Sequence, residues 1–157
     1  MSESLYVPPE LRVLPEPSME SKAFWTAGEQ GQLLIYRCKA CTRFFHPPAP
    51  VCFRCRSTNV GPENVSGRAT VATYSVNVHP WYPSFPPPYI VAIVEIEEDP
   101  SVRLTTNIVG CSTEAIHVGL KVEVLFEHRE DVWIPLFTPS DTASSQPVVL
   151  STGVSAS

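Results

Sequence analysis

The stretch RCKACTRFFHPPAPVCFRCRS, residues 37–57, decides the fold around it, because it holds four of the five cysteines in a chain of 157 residues. Cys38 and Cys41 form one pair, and Cys52 and Cys55 form the other, with the spacing C-x2-C-x10-C-x2-C. Two tight turns that each supply a pair of thiolates are typical of a tetrahedral zinc site. The spacing therefore predicts a zinc ribbon in which a short hairpin brings the two pairs together.

Four protein ligands leave zinc no open position for water, so we expect a structural Zn²⁺ and no hydrolytic chemistry there. Iron held by the same four cysteines would give a one-electron centre, and the residues leave that alternative open. The N-terminal residues lack a basic region followed by an apolar run, and no stretch reaches the ~20 apolar residues of a membrane span. We therefore expect a cytoplasmic protein whose thiols stay reduced, which favours metal over disulfides.

The cysteine region is basic, although the chain as a whole is acidic. Residues 31–61 hold five basic side chains and no acidic one, although the whole chain has a formal net charge of −5. The five are Arg37, Lys39, Arg43, Arg54 and Arg56. These cations either offset the negative charge of four thiolates or also meet an anionic ligand, such as a nucleotide or a coenzyme A phosphate.

The rest of the chain is predicted to be mostly β. Seventeen prolines against seven glycines disfavour long helices, and 43% hydrophobic residues suffice for a core. Residues 18–28, SMESKAFWTAG, predict one short helix that Ser18 caps and Gly28 ends. Later, the apolar set Ala72, Tyr74, Val76 and Val78 alternates with polar residues, which predicts a strand with that set facing the core.

Three predicted strands, a short helical segment and two further strands follow the cysteine region, which is the order of a five-stranded OB-fold barrel. An immunoglobulin-like sandwich would need about seven strands and ranks second. We predict four parts: an extended arm over residues 1–17, the helix and zinc ribbon over 18–62, the barrel over 63–139 and a flexible tail over 140–157.

Candidate binding residues are aromatic or cationic, and no catalytic residue is predicted. The chain has no Gly-rich phosphate loop and no G-x-S-x-G motif. The loop Pro80–Pro88 is stiffened by prolines and presents aromatic side chains either to a partner or to its own barrel. Predicted partner contacts are Phe24, Trp25, Trp81, Tyr82 and Phe85. For Phe24 and Trp25 the alternative is packing on the body of the protein. Cys111 is expected to be a buried thiol.

The chain resembles the acyl-CoA-associated family of zinc-ribbon and OB-fold proteins catalogued as "domain of unknown function 35". The resemblance covers roughly residues 17–139. It depends on the helix with Phe24-Trp25, the cysteine quartet, His46-Pro47-Pro48, Ser66-Gly67, the Tyr89 strand and the closing residues 135–139, PLFTP. It implies a rubredoxin-like zinc ribbon followed by an OB-fold barrel.

The resemblance also implies a function. Members of the family are accessory subunits of thiolase-superfamily enzymes, including lipid-transfer-type aldolases and thiolases. The barrel would dock on the catalytic subunit, and the ribbon and loops would help hold the CoA thioester, so the chain itself would not be an enzyme. The segments EEDPSVRLTTNIVG and HPPAPVC are similar to versions associated with steroid side-chain retro-aldol cleavage.

Three departures from the family pattern affect the predicted ligand contacts. Thr42 and Arg56 stand where a glycine often follows each cysteine pair, and Ala49 and Ala69 replace common arginine and glycine positions. We expect zinc binding to survive, with Arg43, Arg54 or Arg68 taking over the anion contact.

The alternative is a nucleic-acid-binding module, because zinc ribbons and OB barrels both serve that use. Residues 66–139 carry four basic and nine acidic side chains. That balance disfavours a phosphate-binding groove on the barrel, which requires a positive track.

Overall fold

The computed structural model describes residues 8–142 and 149–151. Residues 1–7 of the predicted arm, and residues 143–148 and 152–157 of the predicted flexible tail, lie outside the described residues. The described elements are α1 Lys22–Thr26, a 3-10 helix Ala27–Gln30, β1 Leu33–Cys38, β2 Phe44–Phe45, β3 Val60–Val65, β4 Arg68–Asn77, β5 Tyr89–Ile96, β6 Arg103–Ile108, β7 Lys121–Arg129, β8 Val132–Pro139, a 3-10 helix Ser140–Thr142 and β9 Val149–Ser151.

The predicted helix is present, but it ends at a different glycine. α1 continues directly into the 3-10 helix, and Gly31 ends both with a left-handed backbone (φ 69°). Left-handed φ values carry little steric cost in glycine, so Gly31 suits this cap. Gly28 lies inside the 3-10 helix and is buried. Its role is therefore packing, and the prediction that it ends the helix was wrong.

The ribbon is a three-stranded antiparallel sheet in the order β2-β1-β3. β1 pairs with β2 through Tyr36 opposite Phe45, and with β3 from Leu33 opposite Val65 to Cys38 opposite Val60. Leu33 and Ile35 of β1 belong to the main hydrophobic core of the chain. The ribbon is thus joined to the barrel through shared core packing as well as through the chain itself.

The barrel is closed, as an OB fold requires. β4 pairs with β5, β5 with β6 and β7 with β8, all antiparallel, and β4 also pairs with β7. The circle closes where β6 and β8 meet in parallel at Ile108 and Phe137. The mostly β class and the zinc ribbon followed by a five-stranded barrel are confirmed.

A β-bulge divides β4, so that the residues facing the core are odd-numbered before it and even-numbered after it. Val71 pairs with Val94, and Thr73 pairs with Ile93, so Ala72 is an extra residue. A bulge reverses the alternation of side chains beyond it. Ala69 and Val71 are buried before the bulge. Beyond it Tyr74 and Val76 lie opposite the buried Ala92 and Ile90, and Val76 packs against the main core as predicted. Tyr74 and Val78 are exposed, so the prediction that they are part of the core was wrong.

The segment between β6 and β7 contains turns where a short helix was predicted. Ala115 N–H donates to the Ser112 carbonyl, and Leu120 N–H donates to the His117 carbonyl. Gly119 adopts φ 91° and donates its N–H to Val71 of β4. These turns fasten the connection to the barrel without forming a helix.

Both ends of the described chain lie on the barrel. Pro9 is buried and Leu14 packs beside Ile134 and Leu136. β9 pairs in parallel with β7, from Val149 opposite Phe126 to Ser151 opposite His128. Among the described residues, no helix combines the length and the apolar character that crossing a bilayer demands.

Replacing Gly28 by Ala should destabilise the protein, because a Cβ at this position would lie 2.4 Å from Trp133 Cβ and 2.6 Å from Phe126 Cδ1. Overpacking of this kind costs about 1–3 kcal/mol of unfolding free energy. Urea unfolding followed by tryptophan fluorescence measures the change. Gly61→Ala is the matched control, because a Cβ there meets no atom within 4 Å. Equal midpoints for the two variants would contradict the tight packing of the 3-10 helix on β7 and β8.

Candidate metal centre and binding surfaces

The four cysteine sulfur atoms converge at the tip of the ribbon. Cys38 ends β1, Cys41 follows in the turn, and Cys52 and Cys55 lie in the second turn. Cys38 Sγ lies 3.5 Å from Cys55 Sγ, and Cys41 Sγ lies 3.7 Å from Cys52 Sγ. All four lie within 4.8 Å of one another. Zn–S bonds of about 2.3 Å in a tetrahedron separate the sulfur atoms by about 3.8 Å, so the four thiols fit zinc.

Two similar turns hold the cysteine pairs. Each pair is followed by a residue in the left-handed region, Thr42 (φ 65°) and Arg56 (φ 60°). Cys38 N–H then donates to Arg43 O, and Cys52 N–H donates to Ser57 O, both at 2.9 Å. A left-handed residue with a side chain costs about 1–2 kcal/mol, most when it is β-branched like Thr42. The ribbon keeps the turn geometry even though both positions lack glycine.

Backbone N–H groups in these turns favour the thiolate form of two cysteines. Hydrogen bonds from Cys55 N–H and Arg54 N–H lower the pKa of Cys52 to about 6, although burial opposes the shift. The Cys41 N–H likewise lowers the pKa of Cys38. For Cys55, the Ser57 N–H lowers the pKa, but sulfur contacts with Cys38 and burial raise it to about 11. Zinc binding displaces thiol protons, so this site binds zinc more weakly as the pH falls.

The basic residues of the ribbon have different surroundings. Arg37 donates to Glu63 at 2.7 Å and to Thr42 O at 2.8 Å, so it is engaged within the ribbon. The Arg43 guanidinium lies 5.3 Å from the centroid of the exposed Phe53 ring. Its buried Nε has no hydrogen-bond partner among the described residues. Because this Nε is shielded from solvent, a ligand could contact Arg43 only through its terminal nitrogens.

The three predicted anion-binding residues lie on different parts of the chain. Arg54 is exposed in the second cysteine turn, close in sequence to Cys55. Arg68 begins β4 and forms an ion pair with Glu97 of the hairpin after β5. Arg43 and Arg54 remain on the ribbon surface, whereas Arg68 is already paired with a carboxylate.

The predicted partner contacts divide into buried and exposed residues. Phe24 is buried in the main core and Trp25 packs half-buried against it. Phe24 is therefore a core residue, which corrects its assignment as a partner contact. Trp81 and Tyr82 are exposed, while Phe85 is half-buried with its ring centroid 4.5 Å from that of Tyr89.

Trp81 is held in place although it is exposed. Its Nε1 donates to Asn77 Oδ1 at 2.8 Å, and its ring centroid lies 4.4 Å from that of His79. Asn77 Nδ2 in turn donates to His79 O at 2.7 Å. Sequence reasoning identified Trp81 but missed Asn77 and His79, because their contacts depend on how the backbone turns after the end of β4.

A cavity of about 180 Å³ lies between β6 and β8 and was not predicted. Its lining combines apolar residues such as Trp25 with five polar side chains, from Arg12, His46, Thr105, Thr106 and Asn107. Burial lowers the pKa of His46, so the ring is neutral at pH 7. Arg12 Nη1 donates to Asn107 Oδ1 at 3.3 Å across one side of the cavity.

Comparison with known proteins gives consistent matches. A family model described as "ChsH2, rubredoxin-like zinc ribbon domain" matches residues 25–61, and one described as "ChsH2, C-terminal OB-fold domain" matches residues 63–127. A "DUF35 domain-containing scaffold protein" of Methanocaldococcus jannaschii is 37% identical over 102 residues, covering 63% of this chain and 71% of the relative. The ribbon is accordingly a structural zinc site.

Two further proteins are similar to this chain. A "Probable enoyl-CoA hydratase alpha subunit" of Thermomonospora curvata is 37% identical over 129 residues, which is 80% of this chain. The chain spans only 40% of that relative's length. The solved structure of the "Ltp2-ChsH2(DUF35) aldolase" matches with a TM-score of 0.73 and 34% identity. That match covers 81% of this chain and 99% of the other.

Cys52→Ser should abolish stoichiometric zinc binding and unfold the ribbon, because a hydroxyl is a far poorer zinc ligand than a thiolate. Elemental analysis of the purified protein, together with thermal unfolding, measures the effect. Cys111→Ser is the control, because Cys111 lies outside the quartet. Among the described residues, the hydrogen-bond partner of its Sγ is Ser112 O. Full zinc content in the Cys52→Ser protein would contradict a four-cysteine site.

Proposed function

The chain belongs to the DUF35 family of ChsH2-type proteins, and we propose that it is a non-catalytic accessory subunit of a thiolase-superfamily enzyme that acts on acyl-CoA. The observation that carries the proposal is the match, at 34% identity, to a chain in the solved structure of an Ltp2-ChsH2 aldolase. The partner would be a lipid-transfer-type aldolase or a thiolase. Retro-aldol cleavage of a steroid-CoA side chain is the specific reaction that we propose.

The chemistry of the zinc site agrees with an accessory role. Four thiolates satisfy the coordination of zinc, so a substrate oxygen finds no free position on the metal. The zinc then contributes folding energy and a rigid ribbon tip. Bond cleavage is accordingly assigned to the partner.

The aromatic loop supports docking on a partner. Trp81 and Tyr82 are exposed, and prolines on both sides reduce the conformational entropy that binding would otherwise remove. Tryptophan and tyrosine are enriched among the residues that dominate binding energy in interfaces. We assign this loop to the partner contact.

The ribbon supports a contact with the phosphates of CoA. Arg54 is exposed, and the Arg43 guanidinium lies beside the exposed Phe53 ring. Guanidinium groups bind phosphate oxygens through charge-assisted hydrogen bonds. Arg68 is a weaker candidate because Glu97 already neutralises it.

The nucleic-acid alternative receives less support from the charges. Arg68 and Arg103 of the barrel are both paired with carboxylates, of Glu97 and Glu95. A backbone-binding groove needs cations that are free to replace counterions.

Mixing the purified chain with the purified Ltp2 aldolase subunit tests the proposal. We expect a stable complex in size-exclusion chromatography, and retro-aldol C–C bond cleavage of a steroid-CoA thioester by the complex but not by this chain. Trp81→Ala should weaken the complex by at least about tenfold. Val118→Ala is the control, because Val118 is also exposed but lies outside the loop. Turnover of a CoA thioester by the isolated chain would refute the accessory role.

Arg54→Ala should weaken the binding of acetyl-CoA by roughly tenfold, because a charge-assisted hydrogen bond to phosphate is lost. Isothermal titration calorimetry on the complex measures the change. Arg103→Ala is the matched control, since Arg103 is an exposed arginine paired with Glu95 on the barrel. Equal affinities for both variants would remove Arg54 from the ligand site.

A further inference from the structure

Residues 9–14 of the predicted arm, called the arm from here on, are fastened to the barrel by a buried ionic cluster. Glu127 is fully buried, and its carboxylate accepts hydrogen bonds from Arg129 Nε at 2.7 Å and from Arg12 at 3.4 Å. Arg129 also donates to the carbonyl oxygens of Pro9 and Glu10. Breaking one partner of a buried ion pair is strongly destabilising, so the arm has a defined position on β7.

The same arm touches the aromatic loop. The Arg12 guanidinium lies 5.0 Å from the centroid of the Phe85 ring. Ser84 Oγ donates to the Leu11 carbonyl at 3.4 Å. The arm and the loop are therefore neighbours on the surface, joined by a cation–π contact and a hydrogen bond.

Alternate side chains of the arm face the solvent. Arg12 and Leu14 turn toward the barrel, whereas Leu11 and Val13 are 69% and 87% exposed. On the neighbouring loop Trp81 is 66% exposed although its indole N–H is bonded to Asn77. Single exposed apolar residues are common on protein surfaces, but here those of the arm and those of the loop lie on two segments that contact each other.

The area around these residues carries little charge. Residues 69–94, which include the whole loop, contain no Asp, Glu, Lys or Arg in 26 consecutive positions. Arg12 and Arg129 share the carboxylate of Glu127, and together with the exposed Glu10 of the arm these four side chains carry no net formal charge. The centres of protein interfaces are depleted of charged residues and enriched in aromatic ones. A nucleic acid or an anionic membrane would instead need free cations at this place.

We infer that the arm and the loop form one docking surface, comprising Leu11, Val13, Trp81 and Tyr82, for an uncharged apolar face of the partner enzyme. The inference rests on the proposed function and adds the arm to the surface assigned there. Arg12 is a positioning residue, because it bonds Glu127 on the barrel and packs on Phe85 of the loop at once.

Placing carboxylates on the arm tests the inference. The double variant Leu11→Asp/Val13→Asp puts two charges into the proposed interface. Both side chains are exposed in the folded chain, so we expect the fold to tolerate the substitutions. Its affinity for the purified Ltp2 aldolase subunit should fall by at least about tenfold, because buried unpaired charges oppose association. Biolayer interferometry measures the affinity, and thermal unfolding verifies that the fold is intact.

Val118→Asp is the matched control. Val118 is 63% exposed. Its neighbour Gly119 donates a hydrogen bond to Val71 in the first half of β4, whereas the loop follows the other end of β4, at Asn77. Val118 therefore lies away from the loop. This variant should bind the aldolase subunit within about twofold of the original affinity, since surface substitutions outside an interface have small effects. Equal losses in the two variants would overturn the inference, because added charge alone would then explain them.

Two other results would also decide against the docking surface. If the original chain binds the aldolase subunit and the double variant binds it equally well, the arm is not in the interface, while the proposed function stands. If the original chain forms a dimer in sedimentation equilibrium that the double variant cannot form, the surface belongs to a second copy of the chain. Failure of the original chain to bind the aldolase subunit would reject the proposed function and the inference together.

Discussion

The convergence of four cysteine sulfur atoms is the constraint on which the first third of the fold depends. The ribbon tip buries little besides Cys38, Cys52 and Phe45, which is too small a cluster to order two turns by hydrophobic packing. Metal coordination supplies the missing energy and tolerates left-handed backbones at Thr42 and Arg56. At its other end β1 places Leu33 and Ile35 in the main core, so the metal site and the barrel form one structure.

The molecule has a buried ionic cluster at Glu127 and exposed apolar side chains on the neighbouring arm and loop. Burying Glu127 with two arginines costs desolvation energy that the ion pairs offset only in part, so the cluster is weak evidence for stability. The cluster is better explained by its effect on the arm: it fixes residues 9–14 on the barrel while their outer side chains stay in solvent. The fixed Trp81 has the same character, since its hydrogen bond orders an indole ring that remains exposed. Both features hold exposed apolar side chains in fixed positions, as the proposed docking surface requires.

The sequence was informative wherever a short-range pattern had one structural solution. Two C-x2-C pairs at this spacing suit a tetrahedral metal site, and the strand order leads to one small closed barrel. It was misleading about burial along β4. The extra residue at Ala72 places Val71 and Tyr74 on the same face, and Tyr74 lies opposite the buried Ala92. Tyr74 and Val78 are exposed all the same, because burial depends on which other elements cover that part of the strand. Gly28 also looked like a helix end, but its lack of a Cβ serves contact with Trp133.

By itself the sequence determined the metal ligands, the class of fold and the basic character of the ribbon, because each depends on residue type and spacing along the chain. Tertiary structure alone decided that Phe24 is buried, that Arg68 is paired and that Arg12 meets Glu127. Arg12 and Glu127 are 115 residues apart, and their contact arises only when the arm crosses the closed barrel. Long-range contacts of this kind follow from how the strands close, which no local pattern encodes.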